Sequence, residues 1–318
     1  MRVGHNPARF VESVAQPAEY TVAVVTCLPF LSGFYEQGLQ ILKRCIYSIH
    51  ESRQTPFDLI VFDNRSCEEV RQFLSEAHQQ GVIQYLVLSD KNIGKIGAWN
   101  FMFGAAQGKY VAFADSDIYF KPGWLEESLA LFEAFPNVGM VTARPFRANE
   151  KYSSATFEWA KDQAPGVFQA GAFLDWETFW EHVQSLGVSE DQAKEDYAQS
   201  KDYRLHYNGK TAYIGAGHFQ FMARSDVLKR ILPIPSTKPM RHERTLDERI
   251  DQLGLLRLLT TKAYVYHMGN RLPEGASLVV PRHKKKSLRK RIAQLPGVRH
   301  GLLWLYNKIF RLYFDEDA

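Results

Sequence analysis

Cysteine is scarce in this sequence: Cys27, Cys45 and Cys67 are the three thiols in 318 residues. The number is odd and no spacing suits zinc, so neither a disulfide framework nor a structural zinc is indicated. A reduced, cytosolic interior is the simplest setting. Long apolar runs are also missing, and no stretch approaches the ~20 apolar residues of a membrane span. The opening segment, "MRVGHNPARFVESVAQPAEY", lacks the apolar core of a signal peptide. No internal repeat or low-complexity tract is evident. These absences predict a cytoplasmic protein that is neither membrane-spanning nor disulfide-stapled.

Core-forming residues are plentiful. The chain is 45% hydrophobic and 13% aromatic, which excludes wholesale disorder. The net charge of +4 is unevenly spread. From Arg282 to the end there are ten Lys/Arg against three acids, so the remainder is slightly acidic. "RHKKKSLRKR" is followed by "GLLWLYNKIFRLYF", a wide apolar face broken by Asn307, Lys308 and Arg311. This pattern suits an amphipathic helix at the anionic inner face of a membrane through residues 282–314. A helix docked on the body with solvated charges is the plainer alternative. Nucleic acid is not expected as a partner, because no recognised binding motif accompanies the charge.

Strand and helix patterns alternate along the chain. "YTVAVVTCL" is a β-branched run, and residues 36–53 carry Leu39, Leu42, Ile46 and Ile49 at helical spacing. "FDLIVFDNRS" is a second strand, followed by a helix over 67–79 and the strand "IQYLVLSD". "KIGAWNFMFGAAQG" is a helix, "KYVAFADSD" a strand, "GWLEESLALFEAF" a helix and "VGMVTARPF" a strand. This order predicts an α/β sandwich with a mostly parallel sheet. Five segments are expected: an arm over 1–20, a first half over 21–150, a mostly helical insertion over 151–212 packed over the crevice, a second half over 213–281, and the tail over 282–318. "TLDERIDQLGLLRLL" reads as one helix, and "AYVYHMGN" as a strand ending at His267.

Open parallel sheets bind ligands beyond the carboxyl ends of their strands. Asp63 and the pair Asp115-Ser116-Asp117 lie at such ends. Alternate residues of an extended segment share a face, so both carboxylates of the pair can meet one ligand. Two carboxylates so close are costly without positive charge nearby, and a divalent cation with phosphate ligands would supply it. "NIGKIGAWN", residues 92–100, adds a loop and a helix start whose free N–H groups suit a polar ligand.

Together "VVTCLPF", "VFDNRS", "NIGKIGAWN" and "FADSD" resemble the ordered motifs of family 2 glycosyltransferases with the GT-A fold. The resemblance covers residues 20–145 well and 211–270 more thinly. It implies a Rossmann-like α/β/α sandwich and metal-dependent, inverting transfer of a sugar from a nucleotide-diphosphate donor. The acceptor would be a glycan or lipid-linked hydroxyl, as in polysaccharide biosynthesis. It further implies that Thr26 lines the nucleotide site and that Asp63 bonds the donor's base, most often uracil. Asn92, Gly94 and Asn100 would shape the ribose and diphosphate side. Asp115, with Ser116 beside it, would face the ribose or sugar. Asp117 would bind Mn²⁺ or Mg²⁺, joined by His267.

The base that takes the acceptor proton stays open between Asp247 and Glu243, with Asp251 as a third candidate. Thr245 to Glu248 reads as a capping box, which makes Glu248 structural. Gly215 and Gly217 suggest backbone close to a ligand, and His218 a contact to acceptor or diphosphate. Trp176 and Trp180 read either as a sugar-stacking pair or as a buried helical stripe. Two rival functions are a nucleotide-sugar-binding scaffold without turnover and a sugar-phosphate nucleotidyltransferase. The second lacks its Gly-rich, Arg-bearing loop after the first strand.

Overall fold

The computed structural model describes residues 6–272, together with 297, 298, 301, 304, 305 and 308. The chain divides into two compact units. One is Pro17–Val280, and the other joins Met1–Gln16 to Pro281–Ala318. In the second unit Pro7–Phe10 forms a short 3-10 helix capped by Asn6. The tail's described positions are helical, with exposed Trp304 under the Lys308 ammonium. The rest of the expected amphipathic helix lies outside the described residues.

In the larger unit the elements run β1 (Tyr20–Thr26), α1 (Gly38–Glu51), β2 (Asp58–Asn64), α2 (Glu68–Gln79), β3 (Tyr85–Ser89), α3 (Gly94–Ala105) and β4 (Tyr110–Asp115). Next come β5 (Ile118–Phe120), α4 (Trp124–Ala134), β6 (Val138–Thr142), α5 (Ser154–Lys161), β7 (Phe168–Gly171), α6 (Trp176–Ser185) and α7 (Glu190–Gln199). The chain continues through β8 (Asp202–Tyr207), β9 (Lys210–Ile214), β10 (Gln220–Arg224), α8 (Ser225–Ile231), α9 (Arg244–Gln252), β11 (Leu256–Leu259) and β12 (Val265–His267).

Ten strands form one sheet in the order β3-β2-β1-β4-β10-β6-β11-β9-β8-β7. The first four pair in parallel, and β6 pairs in parallel with β11. β10 lies antiparallel between β4 and β6, and β9, β8 and β7 extend the sheet in alternation. Most strands thus run one way, as the alternating pattern predicts. The segment 151–212 is not purely helical: α5, α6 and α7 are interleaved with β7 and β8, which join the main sheet.

β1 shows why the sheet is a sandwich. Every one of its residues is buried. Val22 and Val24 pack toward α1 and α2, while Ala23 and Val25 pack toward α3, α8 and α9. That alternation is the strand's own period of two. On α1, Ile41, Leu42, Cys45, Ile46 and Ile49 form the matching buried stripe. Each such aliphatic side chain contributes about 1.5–3 kcal/mol on burial.

Two local expectations are corrected. "TLDERIDQLGLLRLL" is a helix only to Gln252; Gly254 takes φ +70 and the leucine-rich remainder is β11. The Thr245–Glu248 capping box does not form, because Glu243 holds the N-cap position and Thr245 lies inside the helix.

The chain leaves β1 toward β2 and β3, then returns to place β4 on the other side of β1. The crevice of such a sheet lies at this reversal, outside the carboxyl ends. In register, Thr26 stands beside Asp63, and Val25 beside Asp115. Immediately after Asp115, β5 pairs with β12, placing His267 opposite Ile118.

Candidate active site

Three neighbouring strand ends supply the first layer. Asp63 is fully buried, and its carboxylate accepts the Ser66 N–H at 3.1 and 3.3 Å. Arg71 lies 3.8 Å away. Burial pushes the Asp63 pKa up, opposed by the Ser66 hydrogen bonds and the Arg71 charge. Ser66 Oγ in turn accepts the Leu28 N–H at 2.9 Å, which ties the end of β2 to the end of β1. Asp63 therefore holds the turn that follows β2. Thr26 Oγ1 is buried nearby without a hydrogen-bond partner among the described residues.

A second linkage joins this edge to α3. Asn64 donates to Asn92 Oδ1 at 3.0 Å and accepts the Ile93 N–H at 2.8 Å. Asn92 Oδ1 also accepts the Gly94 N–H at 2.9 Å. Gly94 is required twice. Its φ is +74, and a Cβ there would lie 3.1 Å from the backbone of both Lys238 and Pro239. Asn100 does not join this group. Its amide donates to the Ile234 carbonyl at 2.9 Å and accepts the Ile234 N–H at 2.8 Å, clamping the chain after α8.

The paired aspartates are reconciled by side chains of the protein. Lys95, on the first turn of α3, sits 2.6 Å from both Asp115 carboxylate oxygens. His267 Nε2 lies 3.3 Å from Asp117 Oδ2. Desolvation of the His267 ring works against the imidazolium, but the Asp117 hydrogen bond and both aspartate charges outweigh it and raise the pKa. Its Nδ1 faces Ser185 Oγ of α6 at 3.0 Å. Asp117 Oδ1 is buried with no partner among the described residues. Beside it, Cys27, Tyr35, Ser116, Asp117 and Asn270 line a small cavity of about 130 Å³.

On the other side opens a cavity of about 820 Å³. It brings together Asp115, Lys95, His218, Glu243, Asp247 and His267. One wall is α6, through Phe179, His182, Val183 and Leu186. Asp247 sits at the floor: Oδ1 is 2.6 Å from Arg257 Nη2, and Oδ2 is 3.0 Å from His218 Nδ1. Glu243 Oε2 accepts the Arg241 N–H at 2.8 Å, while its Oε1 is buried and has no partner among the described residues.

Asp251 stands apart, accepting from Ser154 Oγ and, at 3.0 Å, from the Ala155 N–H. It caps α5 and does not line the large cavity. Gly215 and Gly217 are demanded by packing. A Cβ on the first would meet Ala148 at 2.4 Å, and on the second Phe219 at 2.6 Å. Trp176 and Trp180 stack on each other at 5.8 Å within a cluster that packs α6 on α7. Both are half-buried in that cluster.

The family model described as Glycosyl transferase family 2 matches residues 34–225. The chain belongs to this family. The match ends before α9, so the acidic helix start is outside it. Among relatives, an uncharacterized glycosyltransferase of Nostoc sp. (strain PCC 7120) is 28% identical over 100 residues, 31% of either chain. Among solved structures, S. aureus TarS 1–349 is 13% identical, with a TM-score of 0.46, over 78% of this chain and 60% of that one. A mannosyltransferase from Pyrobaculum calidifontis, in complex with GDP-Man and Mn²⁺, is 14% identical. Its TM-score is 0.45, over 78% of this chain and 57% of that one. The chain thus spans about a third of the sequence relative and 60% or less of these solved chains.

Proposed function

We propose that this protein transfers a sugar from a nucleotide-diphosphate donor, with UDP-sugars favoured, to a hydroxyl of a glycan or lipid-linked acceptor. The observation that carries the proposal is convergence. The ends of β1, β2 and β4, the start of α3 and the β5–β12 pair bring Asp63, Asn92, Gly94, Asp115, Asp117 and His267 to one edge. Two cavities flank Asp115 and Asp117 there. In this reading the smaller belongs to the donor's nucleotide end, and the larger, with its acidic floor, belongs to the acceptor.

A divalent cation fits the residues at one point. Asp117 offers a buried, unpartnered Oδ1, and His267 Nε2 stands beside its other oxygen. Carboxylate and imidazole donors suit Mn²⁺ or Mg²⁺. Among the described residues no cluster of three or more metal-ligating side chains exists, so the donor's diphosphate would complete the shell. Such a cation neutralises the charge that gathers on a leaving nucleoside diphosphate. Lys95 contributes a second, fixed positive charge at Asp115. With the leaving group and the acceptor on opposite sides of the sugar, displacement inverts the anomeric carbon.

The test is a thermal-shift series with UDP-GlcNAc and GDP-mannose, with and without Mn²⁺, followed by assay of nucleoside diphosphate release. A ligand that binds only the folded state at a hundred times its Kd adds about 2.7 kcal/mol of stability. No stabilisation by any UDP-, GDP- or dTDP-sugar would refute the donor site. Stabilisation without any release would favour a binding scaffold.

A further inference from the structure

Asp247 is the natural carboxylate to assign as the acceptor's base, yet its geometry is that of a group already engaged. Its side chain is 5% exposed. One oxygen is held by Arg257, whose guanidinium is itself buried and donates to the Ala216 and Tyr152 carbonyls. The other oxygen meets His218 Nδ1. A carboxylate facing a guanidinium accepts hydrogen bonds only, so the imidazole nitrogen that faces it must carry the proton. In the neutral ring that proton on Nδ1 leaves Nε2 as the nitrogen with a lone pair. Nε2 has no hydrogen-bond partner among the described residues. The His218 side chain is 34% exposed and lines the large cavity with Asp115, Glu243 and His267.

This is the arrangement of an oriented base: an exposed imidazole, a buried carboxylate fixing its tautomer, and a buried cation fixing the carboxylate. We infer that His218 takes the proton of the acceptor hydroxyl, and that Asp247 and Arg257 are positioning residues behind it. The inference rests on the glycosyl-transfer reading above. As the acceptor oxygen bonds to the anomeric carbon, its proton passes to His218 Nε2. The bond from that carbon to the donor's phosphate oxygen breaks, and its electron pair leaves with the nucleoside diphosphate. The imidazolium then returns its proton to solvent. Asp247 stabilises the imidazolium while it lasts.

The test uses the full chain, with UDP-GlcNAc or GDP-mannose and Mn²⁺, and water as the simplest acceptor. In His218→Asn the amide nitrogen replaces Nδ1 toward Asp247, so the fold keeps its contact while Nε2 is lost. General-base catalysis contributes roughly 10²–10⁴-fold, so turnover should fall by about a hundredfold or more with donor KM little changed. A His218→Asn enzyme within about threefold of the parent, beside an inactive Glu243→Gln, would overturn the inference and make Glu243 the base. Nitrogen-15 NMR of the imidazole gives a readout independent of any substrate. A proton on Nδ1 supports the arrangement, and a proton on Nε2 refutes it. If the wild type neither binds nor turns over either donor, the nucleotide-sugar reading fails, while the NMR result still judges the dyad.

Discussion

His182 makes the fold acid-sensitive in a way that can be calculated. The ring lies on α6 between Phe146 and Phe219, with centroids 5.1 and 5.3 Å away. It is buried, and its Nδ1 has no partner among the described residues. Burial first, then the charges of Arg144 and His267, pushes its pKa down to about 3. The same ring in the unfolded chain titrates near 6.5. Between those values the unfolded state binds a proton that the folded state refuses, so stability falls as pH falls. From about pH 7 to about pH 5 the loss from this one group is about 2 kcal/mol. Shifting the folded value by about one unit leaves that figure almost unchanged, because the unfolded titration sets it.

For a unit of this size the loss corresponds to a fall of roughly 4–8 °C in melting temperature. His182→Phe keeps an aromatic ring between two others and removes the titration. Melting curves of both proteins across this range, without ligand, isolate the effect, since other acid-labile groups are common to both. The wild type should lose about 2 kcal/mol more than the variant. Parallel curves, or an NMR titration of His182 centred near its ordinary value, would show that the ring is not shut away as described.

The cation reading predicts that Asp117→Ala keeps the wild-type melting temperature but loses any Mn²⁺-dependent stabilisation by a nucleotide-sugar. Undiminished metal dependence in that variant would remove Asp117 as a ligand. Arg257→Met leaves the Asp247 carboxylate buried beside an apolar chain. Breaking such a buried pair costs about 3–5 kcal/mol, measurable by urea unfolding, and a loss below about 1 kcal/mol would contradict the pairing. Asp251→Ala should cost about 0.5–2 kcal/mol through the lost cap of α5, with turnover unaffected. A collapse of turnover at unchanged stability would return Asp251 to the list of candidate bases.

The part of the site that could be read in the sequence lies in the parallel half. There each strand is a β-branched run, and the polar residue that closes it falls at the sheet's carboxyl edge by construction. Asp63, Asp115 and Asp117 are legible for that reason, and His267 because its strand also ends at a polar residue. The sequence answered their mutual repulsion with an outside cation. The structure adds Lys95 at Asp115 and sets His267 directly against Asp117, contacts whose reach depends on how α3 and β12 sit over β4 and β5. Lys95 lay within the "NIGKIGAWN" stretch, but nothing in the motif says that its ammonium turns back to Asp115.

The antiparallel half was harder because its partners are distant in sequence. Arg257, Asp247 and His218 come from β11, α9 and the loop before β10, and no period links them. The leucine-rich end of "TLDERIDQLGLLRLL" preserves helical spacing, so the break at Gly254 was hidden. With it was hidden the strand that carries Arg257 under Asp247. Had that break been read, Arg257 would have stood on a buried strand as a charge in need of a partner. The nearby acidic helix start would then have looked like its counterion. That is the physical reason to move the proton acceptor outward, from the carboxylate that the sequence favours to the imidazole that the carboxylate holds.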